Sequence, residues 1–153
     1  MLEQYEQKNQ QAFKTVLPET PNRCVIIMDK TLNGGHLANA IAVIALTVGQ
    51  RHPVLVGEPL ADASGFSHPG LIPTGIPMLC ASQAGLVKIR REALDNGCDV
   101  VDFPIQGQQT KSYSEFIEMT EHIRPEDMKY TGIALIGQKK TIGRIVRNLE
   151  LLR

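Results

Sequence analysis

The sequence has 153 residues, 42% hydrophobic and 21% charged, with 16 Lys and Arg against 16 Asp and Glu for a formal net charge of zero. That length suits one domain with a real core, and the composition excludes a chain kept disordered by low hydrophobicity and high charge. Balanced charge also excludes a global field that would draw the protein onto phosphate backbones or anionic lipid, which argues against nucleic-acid and membrane partners while leaving room for a local basic patch.

In chain order, Leu2, Tyr5, Ala12 and Phe13 form a thin apolar stripe on a Gln-rich segment, predicting a helix over residues 1 to 14 that Leu17-Pro18-Glu19-Thr20-Pro21 ends. Residues 1–21 are therefore expected to be an N-terminal helical arm and linker, and residues 22–153 a single α/β domain. Met1-Leu2-Glu3-Gln4-Tyr5 is acidic and polar where a signal peptide needs a basic and then an apolar stretch, so the expected location is the cytoplasm. Residues 23 to 28 are short, β-branched and continuously apolar, as in a central strand buried on both faces. A turn, Asp29-Lys30-Thr31-Leu32-Asn33-Gly34-Gly35, leads into His36, and from there to about Gly49 nearly every residue is Ala, Ile, Val or Leu. A helix apolar all round has to be covered on most sides. Its apolar run over residues 40 to 48 is about half the ~20 residues that cross a bilayer, so a core helix is expected.

Residues 53 to 56 suggest a short strand. Residues 57 to 75 then hold Pro, Gly, Asp and Ser at loop density, over a length that marks a site or lid candidate. A second strand follows at 76 to 81, and Ser82 caps a helix to about Asn96 with Gly97 beyond its end. A third strand is expected at 99 to 103, and a helix from Ser112 to about Ile123 before Pro125. A fourth strand at 132 to 136 and a helix from 141 to 152 close the chain. This alternation predicts a mixed, mainly parallel four-stranded sheet with helices on both faces. Cys24, Cys80 and Cys98 are odd in number, widely spaced and set among apolar residues, which reads as buried thiols in a reducing compartment. With no CxxC or HxxxH spacing, neither a metal nor a cofactor is expected.

Five segments carry a resemblance: Val25-Ile26-Ile27-Met28-Asp29, Gly35-His36-Leu37-Ala38-Asn39-Ala40, residues 62 to 68, Ile76-Pro77-Met78-Leu79 and Gly132-Ile133-Ala134-Leu135-Ile136-Gly137. Through them most of residues 23 to 153 resembles an uncharacterised bacterial family, domain of unknown function 2000. That family in turn looks like the type 2 peptidyl-tRNA hydrolases, which are α/β proteins, commonly dimeric, that cleave the ester joining a peptide to tRNA. The resemblance implies that fold and a homodimer. In those hydrolases a Gly-Lys pair opens the helix after the first strand, and the lysine is implicated in catalysis. Here His36 replaces the lysine and Ala40 the usual Gln, with Asn39 offering an amide beside it. Asp102-Phe103-Pro104 matches only the aspartate of their Asp-Ala-Gly turn, and Gly107-Gln108-Gln109-Thr110-Lys111 could bring a threonine near it.

Gly34 and Gly35 precede His36 at the mouth of a helix, where free backbone N–H groups and the helix dipole attract an anion and a histidine can exchange a proton near neutral pH. The competing reading is a turn with a solvent-facing histidine. Asn39 falls on the same helix face one turn on. Asp29 and Asp102 end strands where ligands of open α/β sheets gather, or else simply cap turns. Asp62, Ser64 and His68 lie too close in sequence for a Ser-His-Asp triad, and suit a lid over the His36 pocket or an ordered surface loop. Lys139, Lys140, Arg144, Arg147 and Arg153 make a basic cluster that could serve a tRNA contact but more often is a solvated face. Two functions are open: a domain that binds or senses a small anionic ligand without the hydrolases' lysine, or an ester or amide hydrolase using His36 and Asp102.

Overall fold

A computed structural model of the chain describes Leu17 and residues 19–153. The helix expected over residues 1 to 14 lies outside them. Strand β1, Arg23–Asp29, has five consecutive buried residues, as its unbroken apolar run requires. It leads through a turn into helix α1, Gly34–Arg51, and a 3-10 turn at Pro53–Leu55. Two-residue strands β2, Leu60–Ala61, and β3, Ser67–His68, pair only with each other. Next come strand β4, Met78–Ala81, helix α2, Gln83–Asp95, and strand β5, Asp99–Pro104. Short helix α3, Gln106–Gln109, and helix α4, Tyr113–Glu121, precede strand β6, Tyr130–Gly137. Helix α5, Lys139–Ile145, and strand β7, Glu150–Leu151, complete the described chain.

The main sheet has five strands in the order β5-β6-β1-β4-β7, not four. Nor is it mainly parallel: β1 and β4 pair in parallel, whereas β5-β6, β6-β1 and β4-β7 are antiparallel. The physical reason is β6, which enters between β1 and β5 from the opposite end. Strands β1, β4 and β5 still point one way, so their carboxyl ends share one edge of the sheet. Every residue of β6 is buried. At Gly132 a Cβ would run into the Met28 sulfur of β1, so this central contact needs a residue without a side chain.

Alternation along β1 builds two cores. Cys24, Ile26 and Met28 join Ala40, Ile44 and Val48 of α1 on one face. Val25 and Ile27 join Leu86, Ile89 and Ala93 of α2 and Ile142 of α5 on the other. Full burial of a side chain such as Ile26 or Ile27 contributes about 1.5–3 kcal/mol, so β1 anchors both cores.

Other expectations change in detail. Residues 53 to 56 hold a 3-10 turn because Pro53 sits at its start, where its missing N–H costs nothing. The long loop contains the β2-β3 hairpin. The closing helix stops at Ile145 and gives way to β7. Helix α1 is covered along one stripe, and Val43 and Leu46 stay exposed. Cys24 and Cys98 are buried, Cys80 only partly, and burial pushes the Cys24 thiol up to about 11. Among the described residues, no helix is long and apolar enough to cross a membrane.

Candidate functional site

The mouth of α1 is open. Gly34 adopts φ +54°, a left-handed conformation that glycine takes without strain, and side chains at Gly34 or Gly35 would meet nothing within 4 Å. Asn33 occupies the N-cap position with extended backbone but makes no side-chain cap bond, and the first turn holds no acidic residue. The orphan N–H groups and positive dipole end of an eighteen-residue helix thus face outward without a compensating side chain. His36 and Asn39 are both exposed on this end, so Asn39 has no buried amide to satisfy.

Helix α3 closes one side of the mouth. The Gln108 side-chain amide donates to the His36 carbonyl oxygen at 2.8 Å. Two residues back, Gln106 is only 9% exposed, and its side-chain oxygen has no hydrogen-bond partner among the described residues. Buried polar atoms are rarely left so, because an unmet group costs about 1–3 kcal/mol. Thr110 donates its hydroxyl to the Gln106 backbone carbonyl at 3.0 Å, which holds the end of α3. Gly107 packs against the Phe103 ring where a Cβ would clash. Gln106 and Gln108 were not singled out as site residues in the sequence; the signal was the Gly107-Gln108-Gln109-Thr110 run just past a strand end.

The two aspartates engage the other face. Asp102 lies between Val101 and Phe103, which point into the α1 layer, so its side chain points toward α2. There Arg90 donates to it from Nε at 2.7 Å and stands 5.6 Å over the Tyr130 ring. Asp29 accepts from the Thr31 backbone N–H and hydroxyl, both at 2.8 Å, and from the Gln83 amide. Gln83 also exchanges two hydrogen bonds with the Tyr130 backbone, tying the ends of β1, β6 and α2 together. Burial pushes the Asp29 carboxyl up, but the bonds from Thr31 and Gln83 and the charge of Lys30 outweigh it, leaving the group below its usual value. The structure therefore brings Asp29 and Asp102 onto one face, each with its own partner, and does not bring either to His36.

Asp62 and His68 come together in the hairpin. Asp62 accepts from the Ser64 hydroxyl at 2.6 Å, the Ser64 and Phe66 backbone N–H groups at 2.9 and 3.1 Å, and His68 Nε2 at 3.0 Å. The Ser64 hydroxyl, with His68 and the Phe66 amide, pulls its carboxyl down to about 2. Ser64 and His68 each bond to the aspartate rather than to each other, which is a turn lock and not a nucleophile relay.

A fourth cluster was not legible. Asp99 at the start of β5 receives Arg51 Nε and Nη2 at 2.8 and 2.9 Å and His52 Nε2 at 2.6 Å. Burial pushes the Asp99 carboxyl up, yet the Arg51 and His52 bonds and charges win and hold it below the usual range. Its only sequence signal was a basic pair at a helix end. Two open grooves, of about 510 Å³ beside Asn22, Cys98 and Lys139 and about 990 Å³ beside Arg91, Asp127 and Tyr130, contain none of the expected ligand residues. No group of three or more His, Cys, Asp or Glu among the described residues could hold a metal ion.

The family described as protein of unknown function (DUF2000) matches residues 22–153, six-sevenths of the chain. The chain belongs to that family. The family's matched span takes in the α1 mouth, both aspartates, the hairpin and the Asp99 clamp. A solved protein of unknown function from Agrobacterium tumefaciens strain C58 is similar to this DUF2000 chain, with 20% identity and a TM-score of 0.75 over 84% of this chain and 96% of that one. At that identity the likeness shows a shared fold. No curated protein matches.

Proposed function

We propose that this DUF2000 domain binds a small anionic ligand at the mouth of α1, on a plan like that of the type 2 peptidyl-tRNA hydrolases but without their catalytic lysine. The observation that carries the reading is the uncapped, open N-terminus of α1, with the Gly34 and Gly35 amides and His36 beside them; the buried Gln106 side-chain oxygen in the adjoining α3 is an unmet acceptor nearby in the chain. The amides and dipole favour negative charge, and the exposed His36 ring beside them offers a further hydrogen-bond donor. The unpaired Gln106 oxygen is an acceptor, so it would take an N–H or O–H of the ligand beside its anionic group, while Gln108 holds the His36 carbonyl in place. In this reading the protein is cytoplasmic.

A hydrolase using His36 with Asp102 has less support, because Arg90 holds Asp102 on the α2 face. Calorimetric titration with inorganic phosphate and a panel of small carboxylates, run beside a peptidyl-tRNA hydrolysis assay, separates the two. Saturable binding that weakens at least tenfold in His36→Ala at pH 6, with no turnover, is expected. Turnover that depends on both His36 and Asp102 would instead establish the hydrolase.

A further inference from the structure

We infer that two copies of the chain exchange hairpins, with the β2-β3 hairpin of each covering the exposed side of α1 in the other. Three observations lead there. First, α1 has a bare apolar side: Leu46 is 79% exposed and Val43 and Ala42 stand beside it. From Leu37 to Gln50 this helix holds no charged residue, so its open side offers a charged partner nothing to pair with. An apolar helix face of this kind is normally buried.

Second, every residue from 58 to 69 is exposed, although β2 and β3 form a registered pair, Leu60 opposite His68 and Ala61 opposite Ser67. The lock around Asp62 fixes the turn. A two-stranded hairpin by itself is marginal in water, so one left exposed along its whole length among the described residues calls for a further surface. Leu60 falls opposite His68, and Phe66 stacks edge-on against the same His68 at 5.1 Å, so the two apolar side chains share one hairpin face. Phe66 is 64% exposed, and Leu71 at the root is exposed as well.

Third, both surfaces lie on one side of the sheet. The hairpin root packs through Leu55, Ile72 and Ile76 into the same core as α1. Under twofold symmetry each protomer contributes both a helix face and a hairpin, so the contact is made twice. The two faces match in chemistry, uncharged helix against Leu60 and Phe66.

Sedimentation velocity on the full chain tests this, with a dimer of twice the 16.8 kDa chain mass expected. Leu46→Glu and Phe66→Glu should each weaken dimerisation at least tenfold, with folding checked by circular dichroism. Phe66 sits where all neighbours in the hairpin are exposed, so its substitution leaves both cores intact. Mixing Leu46→Cys with Phe66→Cys chains should yield a disulfide-linked pair of unlike chains under mild oxidation, and wild type should not. A monomer at all concentrations would show that the chain's own first residues or nothing covers α1, and overturns the exchange. A dimer indifferent to both Glu substitutions, or cross-links only between like chains, overturns it equally.

Discussion

The two ends of α1 contrast sharply. At its C-terminal end Arg51 and His52 are locked onto Asp99, with three hydrogen bonds of 2.6 to 2.9 Å that fasten the helix to β5. At its N-terminal end the backbone is uncapped, His36 is exposed, and a bond from the Gln108 side chain ties the helix to α3. Charged groups at the first end are consumed by structure, while the first amides of the helix at the second have no side-chain cap. Asp29 and Asp102 teach the same lesson, since each is engaged on the α2 face. Ionisable residues near strand ends thus mark a site only when their hydrogen-bonding capacity is still free.

Breaking the closed end should have the largest effect. Asp99→Ala leaves Arg51 and His52 without their carboxylate and should cost about 2–3 kcal/mol in chemical denaturation, with anion binding at His36 unchanged. Because the folded Asp99 carboxyl lies below its unfolded value, its stabilisation is present above about pH 4 and disappears as pH falls through the lowered folded value. The stability gap between wild type and Asp99→Asn should therefore close only in acid; a gap that closes between pH 6 and 8 would remove Asp99 from the account. At the open end the sign reverses. Gln106→Leu deletes a buried oxygen with no partner among the described residues, so it should be neutral or stabilise by about 1 kcal/mol in chemical denaturation. The smallest effect on stability belongs to His36→Ala, expected within about 0.5 kcal/mol of wild type because the side chain is exposed.

Local signals carried much of the fold. The apolar run of β1 and the Ser82 cap and Gly97 stop of α2 placed those elements within a residue or two, and Ser82 does accept from the Gly85 amide. Strand direction was not legible, because nothing in β6 itself says that it runs between β1 and β5 from the far end. Strands of two residues, β2, β3 and β7, are shorter than any periodicity can register. At the site, Gly34-Gly35-His36 announced an open helix start. The partners of Asp29, Asp99 and Asp102 come from 54, 48 and 12 residues away, and such pairings depend on the assembled sheet. Gln106 carried no local mark either, since its meaning lies in a missing partner.

The most direct test of the central claim is a phosphate titration followed by two-dimensional amide NMR on the uniformly labelled protein at pH 6. The account predicts saturable shifts centred on the Gly34, Gly35 and His36 amides, spreading to the Gln106 and Gln108 side chains and lost in His36→Ala. Shifts confined to Lys139, Lys140 and Arg144, or none that saturate, would contradict an anion site at the mouth of α1.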